Sequence, residues 1–155
     1  TTENIMTATR LTQRMFNEWG FAKPRIAIAA LNPHASDNGL IGSEEADEIA
    51  PAVAQAISEG IDASGPHPAD TVFNSAAAGK YDVVLVMYHD QGHIPIKVYG
   101  VEESVTVNLG LPFLRTSVDH GTAFDIAGTG IASEVSMIEA LKLGASLASR
   151  KGLTT

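Results

Sequence analysis

Cysteine is absent from this 155-residue sequence, so neither disulfide bonds nor thiolate metal ligands are available. No apolar run approaches the roughly 18–20 residues of a membrane-spanning helix, because Asp, Lys, Gly or Pro interrupts each candidate. Residues 1–20 also lack the basic start and apolar core of a signal peptide. With no export signal in view, the sequence predicts a cytoplasmic protein that does not bind membranes.

Positive charge is also scarce, since 10 Lys and Arg stand against 18 Asp and Glu and the net charge is -8. That balance argues against a nucleic-acid binder, which needs basic patches to displace counterions. Between Ile26 and Leu141 the only basic residues are Lys80, Lys97 and Arg115. The last two lie in Gly- and Pro-containing segments beside histidines. They either form a localised anion site or pair with neighbouring carboxylates, and composition leaves both open.

What the sequence does contain is a globular composition, 45% hydrophobic and 18% charged, with alternating helix and strand patterns. Apolar periodicity predicts three helices and three strands: helices over 3–19, 44–59 and 133–149, and strands over 25–31, 81–88 and 104–110. This alternation predicts an α/β fold with a mostly parallel sheet flanked by helices. One domain over 1–155, without an internal boundary, is expected.

Two of these helices carry more detailed predictions. Ser43 is expected to cap the second helix, whose acidic first turn suits the helix dipole, and Pro51 is expected to kink it. Ser133 is expected to cap the last helix. Its inward-facing residues are predicted to be Ile138, Leu141, Ala145 and Ala148.

Histidines follow two of the predicted strands, where ligands collect in parallel sheets. His34 follows the first strand, and alone it fits a ligand, a general base or a turn residue equally. His89 follows the strand over 81–88 and begins a cluster of polar residues in the segment YHDQGHIPIK. A buried structural histidine would explain one of these polar residues but not the whole cluster. Two neutral imidazoles can hold a divalent cation such as zinc. Two ligands are too few for a tight site, so another must come from elsewhere.

The spacing of His89 and His93 invites comparison with zinc proteases, whose two histidines lie four apart on a helix with Glu after the first. Here Asp90 takes the place of that Glu, and Gly92 and Pro95 disfavour a helix. We therefore reject the protease interpretation.

Three further segments combine polar groups with turn residues. Segment 118–132, VDHGTAFDIAGTGIA, contains three glycines, which suit either close approach of a ligand or a tight structural turn. It lacks the GxGxxG pattern of ordinary dinucleotide-binding folds. Asn108 and Arg115 lie in an otherwise apolar run, where the arginine binds either an anionic ligand or a surface carboxylate. Asp70 ends a proline-rich turn and is also a candidate helix cap.

The segments LNPHA, GPHPADT, MYHDQGHIPIK and VNLGLPFLRTSVDHGTAFDIAG resemble, in order, the 4-hydroxythreonine-4-phosphate dehydrogenase family. The resemblance covers essentially the whole chain and corresponds to the C-terminal half of the family's longer enzymes. HGTAFDIAGTGIA also resembles the adenosine-binding loop of isocitrate and isopropylmalate dehydrogenases, whose fold the family shares. The resemblance therefore implies an isocitrate/isopropylmalate dehydrogenase-like fold.

The resemblance implies that His34 and His89 bind a metal, with a third histidine in the unmatched half of the family's enzymes. In the family this site is completed across a homodimer interface. Catalytic roles fall on Asp70, which orients a ligand or transfers a proton, and on Lys97. The implied substrate contacts are Lys97, Asn108 and Arg115.

The resemblance also implies that one loop binds the adenosine end of NAD or NADP, through Gly121, Thr122, Ala123 and Asp125. Two positions depart from the related patterns. Ser133 stands where isopropylmalate-type loops have Asn, and His93 stands where the vitamin B6 enzymes usually have an apolar residue. The YHDQGH form is more similar to relatives that act on threonate or erythronate phosphates.

The activity implied is metal-dependent, NAD(P)-linked oxidation and decarboxylation of a phosphorylated four-carbon hydroxy acid. Zinc is the first expectation for the metal, and magnesium or cobalt are the others. The expected partners are the small substrate and a second copy of the chain. Two alternatives stay open, namely a metal-dependent hydrolase or lyase without nucleotide, and an inactive dimerising domain.

Overall fold

The computed structural model describes residues 1–152, which form five helices and five strands within that range. In chain order they are α1 (Thr2–Glu18), β1 (Ile26–Ala29), α2 (Ala50–Ser58), β2 (Ala63–His67), α3 (Ala69–Ala77), β3 (Val83–Leu85), α4 (His89–Gly100), β4 (Val105–Asn108), β5 (Arg115–Val118) and α5 (Val135–Ala148). A 3-10 turn over Pro33–Asp37 follows β1, and a π turn over Glu45–Ile49 precedes α2.

The strands form a parallel sheet in the order β2-β1-β3 and a separate antiparallel pair, β4-β5. β1 is the central strand, and its four residues are buried, as its apolar sequence IAIA predicts. β3 is only half-buried, because it lies at an edge of the described sheet and not between two covered faces as its sequence suggested. The α/β architecture with a mostly parallel sheet and flanking helices is confirmed.

Alternate residues of β1 face two different layers of helices. Ile26 and Ile28 pack with α1 and α2, whereas Ala27 and Ala29 pack against Val72 of α3. A second core joins the far end of α1 to the β4-β5 pair and α5, through Phe16, Trp19, Leu143 and Leu147. Helix α1 therefore connects the two sheets.

The predicted helix over 44–59 is interrupted. The π turn occupies its first part, and Pro51 lies in the first turn of α2, where a missing amide costs little. Ser43 does not cap through its side chain; its carbonyl accepts bonds from Ala46 N–H and Asp47 N–H.

Helix α5 is present but presents a different face from the one predicted. Ile138 and Leu141 are exposed, at 41% and 67%, and Ala145 and Ala148 are exposed too, so the prediction that these four residues face inward is wrong. Glu134 takes the cap position, while Ser133 Oγ accepts only a 3.4 Å bond from Val135 N–H. The buried residues are Ser136, Ala140, Leu143 and Leu147.

Residues 89–100 form helix α4, although Gly92 and Pro95 were expected to disfavour a helix, so that prediction is wrong. Gly92 lets α4 approach the end of β3, because a Cβ there would lie 3.1 Å from Val86 Cγ2. Pro95 lies inside the helix and leaves the Gln91 carbonyl without its usual amide donor. With α4 helical, the protease interpretation is opposed only by Asp90 in place of the required Glu and by the preceding strand.

Candidate active site

His34 lies in a left-handed turn that follows β1. Five consecutive non-glycine residues, 34–38, have φ between 45° and 67°. Each such residue costs about 1–2 kcal/mol relative to right-handed geometry, so the surrounding contacts must hold the turn. Ser36 is buried, and its carbonyl accepts bonds from Gly39 N–H and Ile41 N–H.

Glu45 anchors the chain that enters this turn. Its Oε1 accepts bonds from Leu31 N–H at 2.8 Å and Asn32 N–H at 2.7 Å, and its Oε2 accepts one from Asn32 Nδ2 at 3.0 Å. The side chain is almost completely buried, which by itself raises the pKa of Glu45. The bonds from Asn32 and Leu31 more than offset burial and leave that pKa below its ordinary value.

Gln91 connects the ends of β1 and β3. Its Nε2 donates to the Ala30 carbonyl at 2.7 Å, and its Oε1 accepts from Met87 N–H at 2.8 Å. Ala30 follows β1 and leads to His34, whereas Met87 follows β3 and leads to His89. This buried amide therefore fixes the two strand ends that carry the candidate metal histidines.

A cavity of about 280 Å³ opens at these strand ends. His34 and Asp70 both line it, together with Tyr88, which immediately precedes His89. The complete lining is Leu31, Asn32, Pro33, His34, Ala69, Asp70, Tyr88 and Gln91. The predicted metal ligand His34 and the predicted catalytic Asp70 thus share one cavity.

The two candidate metal histidines have the same local hydrogen bonding. His34 Nδ1 lies 3.2 Å from Asp37 Oδ2, and His89 Nδ1 lies 2.7 Å from Asp90 Oδ1. A carboxylate at Nδ1 is the usual outer partner of a histidine that ligates a metal through Nε2. Both side chains are largely exposed. The donor set therefore suits a divalent cation.

Residues 1–152 contain no group of three His, Asp or Glu close enough together to hold a metal ion. A metal site at His34 and His89 would therefore need at least one ligand from outside these residues. Metal assignment to these two residues stays a prediction.

One face of α4 carries His89, His93 and Lys97, which are spaced four residues apart. The His89 and His93 rings stack at a centroid distance of 4.0 Å and an angle of 9°. His93 Nδ1 lies 3.8 Å from Asp119 Oδ1, and Lys97 Nζ donates to the Asp119 carbonyl at 3.1 Å. The helix thus connects a candidate metal ligand to a candidate substrate-binding lysine.

Asp119 is a polar anchor that sequence reasoning missed. It directly follows β5, and its side chain is 6% exposed. Its carboxylate accepts bonds from Ser104 Oγ at 3.1 Å and Thr106 Oγ1 at 3.0 Å. No local pattern signals this role, because its partners lie 13 to 15 residues away in sequence.

Asn108 and Arg115 face each other across the β4-β5 pair, and Arg115 Nη1 donates to Asn108 Oδ1 at 2.6 Å. Both are exposed. Lys97 contacts the opposite end of this pair, at Asp119, which lies four residues and therefore about 13 Å from Arg115 at the usual strand rise per residue. The three predicted substrate residues therefore belong to one hairpin region, but Lys97 lies at its other end.

The predicted adenosine loop lies between β5 and α5 and contains neither helix nor strand. Its residues Gly121, Thr122, Ala123 and Asp125 are exposed. Ala123 has φ of 46°, and a Cβ at Gly121 would meet no atom within 4 Å. The loop is thus open to a ligand, and its nucleotide role stays a prediction.

Comparison with known proteins finds relatives that are named as dehydrogenases. A family model described as "Pyridoxal phosphate biosynthetic protein PdxA" matches residues 1–144. The chain is 56% identical over 133 residues to the D-threonate 4-phosphate dehydrogenase of Cupriavidus necator, covering 85% of this chain and 40% of that protein. It is 53% identical over 152 residues to the 4-hydroxythreonine-4-phosphate dehydrogenase of Geobacter metallireducens, covering 98% of this chain and 45% of that protein.

Solved structures give the same result. The crystal structure of 4-hydroxythreonine-4-phosphate dehydrogenase from Klebsiella pneumoniae superposes with a TM-score of 0.86 at 48% identity. The match covers 96% of this chain and 45% of that one. The chain therefore spans less than half the length of these relatives. Across residues 1–152, no helix combines the length and apolarity that crossing a membrane requires.

Proposed function

Because the chain belongs to the Pyridoxal phosphate biosynthetic protein PdxA family, we propose that it is the C-terminal half of a metal-dependent dehydrogenase. The reaction is oxidation of a phosphorylated four-carbon hydroxy acid by NAD or NADP, followed by loss of CO2. The observation that carries this proposal is the pair of histidines at the strand ends, each with Nδ1 beside a carboxylate.

His34 and His89 would hold the divalent cation, for which zinc is the first expectation and magnesium or cobalt the others. When bound, such a cation supplies Lewis acidity that lowers the pKa of a substrate hydroxyl. Asp70, which lines the same cavity as His34, would accept or return a proton. The missing ligand would come from the remaining part of the protein, and a homodimer would complete the site.

Lys97 and Arg115 would bind the anionic groups of the substrate, with Asn108 orienting Arg115 through their hydrogen bond. The two cations lie at opposite ends of the β4-β5 pair. The open loop with Gly121, Thr122, Ala123 and Asp125 would bind the adenosine end of the nucleotide.

For the substrate, D-threonate 4-phosphate is the first choice. The Cupriavidus necator relative carries that name, and the YHDQGH segment resembles relatives acting on threonate or erythronate phosphates. The Geobacter metallireducens relative is named for 4-hydroxythreonine 4-phosphate, so that compound belongs in the same assay panel.

The test is His89→Ala in the full-length protein, with bound metal measured by mass spectrometry and NADH production measured on the panel. We expect loss of metal and of turnover. His120→Ala is the control for metal content, because it removes another exposed imidazole. Unchanged metal content and turnover in His89→Ala would contradict the proposed site. Absence of NAD binding by calorimetry would instead favour a metal-dependent hydrolase or lyase.

A further inference from the structure

His93 has two contacts that the proposed reaction does not use. Its ring lies parallel to that of His89, and its Nδ1 faces the Asp119 carboxylate at 3.8 Å. The His89 side chain itself is 74% exposed and is in contact with Asp90 from its own helix turn. The contact with Asp90 and the stack on the His93 ring therefore restrict its orientation.

Asp119 gives His93 a fixed reference point. Its carboxylate is held by two hydroxyl donors, Ser104 and Thr106, and its side chain is almost fully buried. Its carbonyl also accepts from Lys97, one helical turn beyond His93. The β4-β5 pair thus holds α4 at two successive turns of the face that carries His89.

We propose that His93 is a positioning residue that fixes the ring plane of His89 for metal binding, with Asp119 fixing His93 in turn. This inference rests on the proposed function, in which His89 is a ligand. The flat stack removes ring orientations that would otherwise be sampled in solvent, so less rotamer freedom is lost when the metal binds. Outer partners of metal ligands typically change metal affinity 10- to 100-fold.

The test is metal affinity of the full-length protein, measured by chelator competition with Zn²⁺ and by the visible spectrum of the Co²⁺-loaded form. For His93→Ala we expect about 10-fold weaker Zn²⁺ binding and an altered Co²⁺ spectrum. His93→Phe keeps a flat ring but loses the contact to Asp119, so it should recover part of the affinity and still bind Zn²⁺ more weakly than wild type. Glu102→Gln, at an exposed position just after the same helix, should leave both measurements unchanged.

His89→Ala separates this inference from the proposed function. If His89→Ala loses metal while His93→Ala keeps wild-type affinity and spectrum, His93 does not position the ligand and only the inference fails. If His89→Ala itself retains metal, the proposed site fails and the inference with it. Equal weakening in His93→Phe and His93→Ala, at unchanged Tm, would contradict the role of the stacked ring.

Discussion

At the scale of single residues, the site depends on polar side chains that are buried without a counter-ion. The Glu45 carboxylate accepts three bonds from N–H donors of Leu31 and Asn32 and holds the entry to the His34 turn. In the sequence, Glu45 was assigned only to the acidic start of a helix. Its partners lie 13 and 14 residues away, so no local pattern could identify them.

Glu45→Gln in the full-length protein should lower stability at pH 7 by about 2 kcal/mol, because an amide cannot accept all three charge-assisted bonds. The pKa of Glu45 lies below its ordinary value of 4.5 in the folded protein. Its contribution is therefore present above pH 4.5 and disappears as pH falls through the lowered pKa. The Tm difference between the two proteins should accordingly shrink in acid.

Thermal unfolding followed by circular dichroism at neutral and acidic pH measures this difference. Asp47→Asn is the matched control, since Asp47 is exposed in the same π turn. It should change Tm little at either pH. The difference in Tm between wild type and Glu45→Gln could also stay the same at acidic pH. That result would show that the ionised carboxylate is not the stabilising group.

At the scale of elements, prediction from sequence succeeded where one local pattern dominates. The apolar spacing in 3–19 and the run in 25–31 gave α1 and β1 to within a few residues. Prediction of secondary structure failed at α4, because Gly92 and Pro95 locally disfavour a helix. In the structure, Gly92 instead lets the helix pack closely against Val86. β2 was missed, because ASGPH contains no strand pattern and forms a strand only by pairing with β1.

The candidate site was predictable in its residue types but not in its arrangement. Histidines at strand ends located His34 and His89, and the cavity that joins His34 to Asp70 follows from the parallel sheet. The supports were not predictable. Gln91 bonds to Ala30 across 61 residues, and Asp119 bonds to Thr106 across 13. Such contacts depend on tertiary structure alone.

The left-handed turn after β1 leads to a separate prediction about stability. Ala35 has φ of 54° and ψ of 47°, a left-handed geometry that is unfavourable for alanine but not for glycine. Ala35→Gly should therefore change stability little or raise it by up to about 1 kcal/mol, despite the greater freedom of the unfolded chain. Ala54→Gly, at an exposed position of right-handed α2, should instead lower stability by about 1 kcal/mol.

Urea denaturation of the two full-length variants measures both changes on one scale. If Ala35→Gly and Ala54→Gly change the free energy of unfolding differently, the cause is the local backbone geometry and not a general destabilising effect of glycine. Equal destabilisation by both substitutions would mean that residues 34–38 do not keep left-handed geometry in solution.

At the scale of the whole molecule, the described chain leaves much apolar surface uncovered. Large exposed hydrophobic residues concentrate on α4, on α5 and in the segments between them: Ile94, Ile96, Val98, Tyr99, Phe113, Phe124, Met137, Ile138 and Leu141. Monomeric proteins rarely expose large contiguous apolar patches. Because the chain spans less than half of its relatives' length, we expect the rest of the protein or a second copy to cover these residues.

Leu141, 67% exposed on α5, tests that expectation. In the full-length protein, Leu141→Asp should lower Tm clearly and reduce the oligomer mass measured by sedimentation, because burying a carboxylate against apolar groups costs several kcal/mol. Leu141→Met keeps volume and apolarity, so it should behave like wild type. The lower helix propensity of Asp contributes at most about 0.7 kcal/mol, well below the several kcal/mol expected from burial of the carboxylate. If Leu141→Asp kept both Tm and mass, Leu141 would face solvent in the whole protein, and the face of α5 would need no partner.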